Sequence, residues 1–367
     1  MGTVSRFADR ARPAAHRIES EEEAIATARR LAADFSLQAS ERDINRVFPR
    51  AELDALFQSG LTAVTVPPEH EGLDVANALL GEIVAIIAEG DASIGECLEH
   101  HFTVLEELRN EPNEERRALL FVRALAGDHF VAATFAEAGA AVPSGLGYQL
   151  SGRSLRVPGI LFADWIVADA IDKEGQAVRF HLPCETAGLQ IIDDWDGFGQ
   201  RTNGAGSAVA NGVIGNGEAA VDNRQQRHTT SSALAALLHA GTDLGIARAA
   251  LASLREAPRS AGVGKLALSV QATAALLESA GGKLDFAQVS PSTARTKAAF
   301  FSASAASITA SRTALEVANA LFELSGHGAT SIGRNLDRHW RNARIRANDA
   351  AADDLYQAAA AHYFGDG

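Results

Sequence analysis

Cysteine is scarce: Cys97 and Cys184 are the only two in 367 residues. They lie far apart and lack the paired spacing of a zinc site, so both are expected to be plain buried thiols in a reducing compartment, and no metal centre is expected. Positive charge is also in short supply. The chain carries 33 Lys and Arg against 46 Asp and Glu, a net charge of −13, with the acids scattered instead of gathered in a tail, which argues against general binding to nucleic acid or to an anionic membrane. No stretch reaches the roughly 18 uncharged apolar residues that would span a bilayer, and the opening MGTVSRFADRARPAAHRIESEEEA has no apolar signal segment. A soluble cytoplasmic protein is expected. A P-loop, a GxGxxG after a strand, an internal period of 20 to 50 residues and a low-complexity linker are all missing, which disfavours a Rossmann unit and a solenoid.

What is present is ordinary globular material, 47% hydrophobic and 22% charged, with length enough for two or three domains. From Ser20 to about Gly127 the pattern is helical. Ser20-Glu21-Glu22-Glu23 reads as a capping box, residues 50 to 57 carry apolar side chains at helical spacing, residues 65 to 72 form a loop, and Val75 to Ala88 is almost wholly apolar and is expected to be buried on most sides. Between about Asp128 and Val221 the period falls towards 2, in runs such as HFVAATF, ADWIVADA and AVRFHLP, which predicts a small antiparallel β-domain. After about Thr229 long alanine-rich helices are expected over Ser231 to Glu256, Lys265 to Ala280, Ser292 to Ser325 and Arg334 to Tyr363, packed as an antiparallel bundle. The expected architecture is α+β and multidomain: an all-helical domain over 1–127, a central β-domain over 128–226 and a C-terminal four-helix bundle over 227–367.

Three stretches carry a family resemblance. Phe135-Ala136-Glu137-Ala138-Gly139, LSGRSLRVPGILFADWIVADA (150 to 170) and DDWDGFGQR (193 to 201) resemble the β-domain of the acyl-CoA dehydrogenase superfamily. The later LFELSGHGATSIGRNLDRHWRNAR (321 to 344) is similar to its flavin-dependent monooxygenase branch, typified by dibenzothiophene monooxygenase and sulfur-acquisition enzymes. The resemblance runs from about residue 20 to the end. It implies a flavin, FMN or FAD, wedged between the β-domain and the bundle of a homotetramer. Small residues on every face of Ser292 to Ala320 would permit the close helix approach such an assembly needs.

The same resemblance nominates site residues. His101 corresponds to a histidine near the flavin's reactive edge, where a near-neutral pKa suits proton exchange with an oxygen intermediate; as a residue alone it reads equally as a packing histidine. Phe135, Ala136, Glu137 and Gly159 fall on the flavin-contacting strand and turn, although Ala133, Val157 and Pro158 lack the side-chain or amide donors usual there. Trp195 matches a pocket-lining tryptophan, or closes the β-domain core. Gly326 and Gly328 match a turn that approaches the flavin from a neighbouring subunit, or simply end a helix. The glutamate base of common acyl-CoA dehydrogenases falls at Ala350, and the monooxygenase branch's histidine-rich stretch is replaced here by Arg346, Asp349 and Ala350, which leaves Asp349 as a candidate proton carrier. Arg334, Arg338, Arg341, Arg344 and Arg346 recur near helical spacing, as salt bridges on an exposed or intersubunit face or as an anion site.

The expected function is that of a two-component monooxygenase, in which reduced flavin from a separate flavin reductase and O2 oxygenate a small organic substrate. Two alternatives stand beside it: an acyl-CoA dehydrogenase-type oxidoreductase, and a catalytically degenerate member acting as a binding or assembly protein.

Overall fold

The computed structural model describes residues 14–145, 147–215, 218–219, 229–347 and 349–365. Helices come first: α1 (Glu21–Ser36), α2 (Ala39–Asn45), α3 (Arg50–Gln58), α4 (Asn77–Gly90), α5 (Ala92–Leu108) and α6 (Glu114–Leu125). The α1 cap is half the expected box. Ser20 Oγ accepts from the Glu23 amide at 3.2 Å, but the Glu23 carboxylate accepts from the Glu19 amide at 2.8 Å, one residue before the cap. Most of α4 is buried because it is enclosed on several sides, by α1, by α5 and by two later helices.

Among the described residues eight strands follow: β1 (Phe130–Ala138), β2 (Ala141–Ser144), β3 (Gly147–Val157), β4 (Trp165–Ile171), β5 (Ala177–Pro183), β6 (Leu189–Ile192), β7 (Gly206–Gly215) and β8 (Glu218–Ala219). They form two four-stranded sheets, ordered β1-β4-β5-β8 and β2-β3-β7-β6. All the pairings are antiparallel except β1 with β4, which is parallel. The chain leaves β1 through the hairpin β2–β3, which belongs to the other sheet, and so re-enters the first sheet in its original direction. The β1 ladder is interrupted between Phe135 and Ala138.

The C-terminal part contains α7 (Thr230–Ala252), α8 (Ala261–Val289), α9 (Thr293–Leu324), α10 (Asp337–Arg346) and α11 (Asp349–Phe364). The stretch expected as one helix from Arg334 to Tyr363 is thus two, α10 and α11. The helix expected to stop at Ala280 continues through Gly281 and Gly282 to Val289. Gly281 is there for proximity: a Cβ on it would lie 2.4 Å from the Ala78 amide of α4. Gly245 of α7 meets α4 in the same way, its Cβ position 2.5 Å from the Ala85 carbonyl. The N-terminal and C-terminal helices therefore share one core instead of touching at their surfaces. Among the described residues, α7 alone is long and apolar enough to cross a membrane, and 67% of its apolar stretch is buried within the fold, against α4, α5, α8 and α9.

Candidate active site

The most unusual chemistry lies where α5, α7 and α10 converge. Arg346, the last residue of α10, is buried and spreads its guanidinium over three carboxylates. Nε donates to Asp243 Oδ1 at 2.7 Å, Nη1 to Glu96 Oε1 at 2.8 Å and Nη2 to Glu99 Oε2 at 2.8 Å. Helical spacing builds the acceptors: Glu96 and Glu99 are three apart on α5, and His239 and Asp243 are four apart on α7, so each pair shares a face. A buried charge is tolerated only when paired, and the planar five-donor fork of arginine can satisfy several carboxylates at once. The loop before β7 joins in through Asn203 Nδ2, which donates to Glu96 Oε2 at 2.7 Å. Thr242 Oγ1 donates to Glu99 Oε2 at 3.2 Å.

Mutual proximity sets the protonation states. Burial pushes the Glu99 carboxyl up, but the Arg346 guanidinium and the His239 ring outweigh it and hold Glu99 far below the ordinary carboxylate range. Asp243 is lowered by the same balance. For His239, burial and Arg346 pull downward, while the carboxylates of Asp243 and Glu99 dominate and raise the ring to about 9.

Beside this cluster opens a cavity of about 420 Å3. Glu99, His239 and Arg346 form its charged wall, Ile308 and Leu315 of α9 its apolar wall, and Tyr356 of α11 also lines it. That volume suits a small organic molecule.

The residues singled out from the sequence fall in several places. His101 is fully buried on α5. Its Nε2 donates to the Thr62 carbonyl at 2.8 Å and its Nδ1 accepts from the Phe130 amide at 3.1 Å. Burial, then the His129 ring stacked 5.5 Å away, lowers its pKa to about 3, so it is neutral and pins the start of β1. Gly159 lies nearby, its amide bonded to the Asn203 carbonyl at 3.0 Å, and a Cβ on it would lie 3.1 Å from His129 Cε1. Phe135 is buried, whereas Ala136 and Glu137 are exposed at the interruption of the β1 ladder. Trp195 donates from its indole to the Gly199 carbonyl at 3.3 Å and packs over Gly197, on the side facing Ile345, the residue before Arg346. Gly326 and Gly328 are exposed beyond the end of α9. They belong to a different region, where a second cavity of about 660 Å3 is lined by Phe198, Arg201, Phe322 and Arg341. Asp349 begins α11, and the side chains of Asp349, Ala350 and His327 lie outside the described residues.

One expectation is overturned. The arginine series does not form a single exposed salt-bridge face. Arg346 turns inward to the cluster, and Arg341 clamps Asp43 of α2, at 2.6 Å from Oδ2, to the Phe198 carbonyl of the β-domain at 2.9 Å. The reason is that α10 is wedged against α7 and α9 and has little solvent face to offer. The sequence reasoning also missed Glu96, Glu99, His239 and Asp243. Their signal was available: ionisable residues three and four apart on helices that are otherwise apolar.

Two family models match the chain: the acyl-CoA dehydrogenase N-terminal domain over residues 18–128 and the acyl-CoA dehydrogenase C-terminal domain over residues 237–354. A probable FMNH2-dependent monooxygenase, SfnC of Pseudomonas putida, is 28% identical over 356 residues, covering 88% of this chain and 90% of that protein. Dibenzothiophene monooxygenase of Rhodococcus qingshengii is 25% identical over 371 residues, covering 88% of each. Among solved structures, FMN-bound TdsC from Paenibacillus sp. A11-2 superposes with a TM-score of 0.85 at 22% identity, over 93% of this chain and 97% of that one. The methanesulfinate monooxygenase MsuC of Pseudomonas fluorescens gives 0.81 at 24% identity, over 94% and 97%.

Proposed function

The chain belongs to the acyl-CoA dehydrogenase family, and on that premise we propose that it is a flavin-dependent monooxygenase that uses reduced FMN and O2 to oxygenate a small organic sulfur or nitrogen compound. A separate reductase would supply the reduced flavin. The observation that carries the choice within the family is Ala350, at the start of α11, where common dehydrogenases place their glutamate base. A methyl group cannot take a proton from an acyl α-carbon. The relatives that match along most of the chain carry monooxygenase names.

The residues present suit a flavin. The ladder of β1 breaks at Ala136 and Glu137, so main-chain amides there are released from strand pairing on an exposed face built of small side chains, Ala132, Thr134 and Ala136. That compensates for the polar side chains missing at Ala133 and Pro158, because backbone donors can hold a ring edge. Ala136, Glu137 and Trp195 would hold the group, with the buried Phe135 and Gly159 shaping the strand and turn behind them and Gly326 and Gly328 reaching it from a neighbouring subunit of a homotetramer. Reduced flavin, when bound, supplies the two electrons that activate O2. His101 fixes β1 against α5 and thereby positions this face. Asp349, three residues beyond Arg346, assists proton movement, and the 420 Å3 cavity receives the substrate.

The test is to mix the protein with FMN, a general flavin reductase and NADH, and to follow oxygenation of a panel of thioethers, sulfones, sulfinates and indoles by mass spectrometry with 18O2. Label appearing in one product class supports the reading. Oxidation of acyl-CoA with an electron acceptor, or no binding of oxidised or reduced FMN at all, would overturn it in favour of a dehydrogenase or of a binding protein respectively.

A further inference from the structure

Among the described residues, Arg46, Glu71, Asp74, Arg156, Gln200 and Asn335 hold a positive φ without being glycine. Arg46, Glu71 and Asn335 follow the last turn of a helix, where the left-handed conformation is an ordinary stop. Asp74 and Gln200 lie outside helices and strands. Arg156 alone in this set stands inside a strand, in β3 at φ 56°. The ladder explains the place: Ser154 pairs with Ala208 and Val157 with Gly206, so two residues, Leu155 and Arg156, oppose the single Ser207. That is a β-bulge, and its left-handed residue is normally glycine because a Cβ is strained there. An arginine that keeps the conformation against that cost points to a use for its side chain.

Two contacts fix where Arg156 stands. Before it, Ser154 Oγ accepts from the Thr134 amide of β1 at 3.1 Å; after it, a Cβ on Gly159 would lie 3.5 Å from a Val131 methyl. Arg156 is bracketed by these contacts and so runs alongside residues 131–134, at the edge of β1 that does not pair with β4. Ala132 and Thr134 are the exposed residues of that stretch and belong to the face given above to the flavin. Leu155 and Arg156 are exposed too, Leu155 to 61%. The neighbouring Arg153 is already spent, donating to Asp194 Oδ2 at 2.7 Å. Glu137, the acid of this face, sits at its other end, with Oε2 3.6 Å from where a Gly152 Cβ would be. Among the described residues Arg156 makes no hydrogen bond and no ion pair, so its charge is uncommitted.

We propose that Arg156 lies against the ring of the flavin and makes the site prefer the reduced cofactor to the oxidised one. This rests on the monooxygenase reading above. At neutral pH the reduced ring carries a negative charge and the oxidised ring carries none, so a guanidinium beside it favours the first selectively. A planar guanidinium also stacks on an aromatic ring, and Leu155 offers apolar surface next to it. The preference has a use. An enzyme that receives reduced flavin by diffusion from a separate reductase has to take it in competition with the oxidised form, and specificity of that kind is a difference between two affinities.

The experiment measures binding of reduced FMN, without oxygen, and of oxidised FMN to wild type, Arg156→Gln and Arg156→Gly. Arg156→Gln should bind reduced FMN about tenfold more weakly, the worth of one hydrogen bond to a charged group. Oxidised FMN should bind within about threefold of wild type, and the midpoint potential of the bound flavin should fall by about 30 mV, the equivalent of tenfold for a two-electron couple. Arg156→Gly should lose the same preference yet melt at or above the wild-type temperature, because glycine takes the left-handed conformation without strain. Equal weakening of both redox forms, or of neither, would overturn the proposal, as would an Arg156→Gly protein that melts well below wild type, since the arginine would then be kept for the fold. Reduced riboflavin, which lacks the phosphate, should lose the same factor as reduced FMN; a loss confined to FMN would assign Arg156 to the phosphate and overturn the ring assignment. If wild type binds neither form of FMN, the monooxygenase reading fails and the proposal falls with it, whereas a wild type that binds FMN with an indifferent Arg156→Gln refutes the proposal alone.

Discussion

Replacing Arg346 with methionine isolates the electrostatic cost of the cluster from its packing, because the side chains have similar reach and the site is closed. Arg346 is 2% exposed and meets the carboxylates of Asp243, Glu96 and Glu99 at 2.7 to 2.8 Å. Removing one member of a buried ion pair costs about 3–5 kcal/mol, chiefly because the partner charge is left without compensation. A chain of this length unfolding cooperatively has a melting entropy of about 0.8 kcal/mol/K, so the thermal midpoint should fall by roughly 4–6 °C. The sign of the pH dependence discriminates further. In wild type the carboxyls of Glu99 and Asp243 are depressed, so they contribute stability that is present above the unfolded carboxylate range near 4 and is lost as the pH falls through their lowered folded values. Without Arg346, burial dominates and their folded pKa values rise above that range, so the folded variant takes up protons as the pH falls. The penalty in Arg346→Met should therefore be larger at pH 8 than at pH 5. Scanning calorimetry or circular dichroism at the two pH values measures it. A midpoint within 2 °C of wild type at pH 8, or a loss of equal size at both, would refute the reasoning, since either result means that the three acids do not depend on this arginine.

Further outcomes follow from other contacts. His101→Ala should destabilise the fold by about 2–5 kcal/mol, because it strands the buried Phe130 amide and Thr62 carbonyl, and any loss of oxygenation should track lost folding in a denaturant titration. With the His101 pKa lowered to about 3, its contribution to stability is complete above pH 6.5 and is lost as the pH falls from 6.5 towards 3; acid titration of the melting point should show wild type losing more in that window than His101→Gln, and equal losses would contradict it. Gly199→Ala places a Cβ 2.2 Å from the Arg341 carbonyl, and should cost about 1–3 kcal/mol in urea unfolding by pushing the 193–205 loop off α10. The proposed homotetramer should bury Leu268, Phe286 and Val289, which are exposed along α8; light scattering that reports a monomer at micromolar concentration would count against it.

The succession of helices, strands and helices was legible because period is a local property. The runs AVRFHLP and ADWIVADA alternate, and in β5 the buried positions do alternate along the strand. Features set by long-range contact were not legible. Nothing in HFVAATF tells that β1 will pair in parallel with β4, since that follows from the chain's route through the second sheet. Gly281 and Gly282 looked like a stop, yet α8 runs through them because α4 passes too close for any side chain at Gly281. The helix α10 ends at Arg346 and α11 begins at Asp349, and the sequence between them has no glycine or proline to announce the change.

The site divides along the same line. Motif resemblance picked out residues of β1 and of the turn at Gly159, because each of those stretches is contiguous in sequence. It offered His101 on position alone, and position cannot distinguish a histidine that exchanges protons from one whose two nitrogens are spent on a carbonyl and an amide. What settles it is the partner set, and partner sets are long-range: those of His239 come from residues 99, 243 and 346 on three helices, which no local spacing brings together.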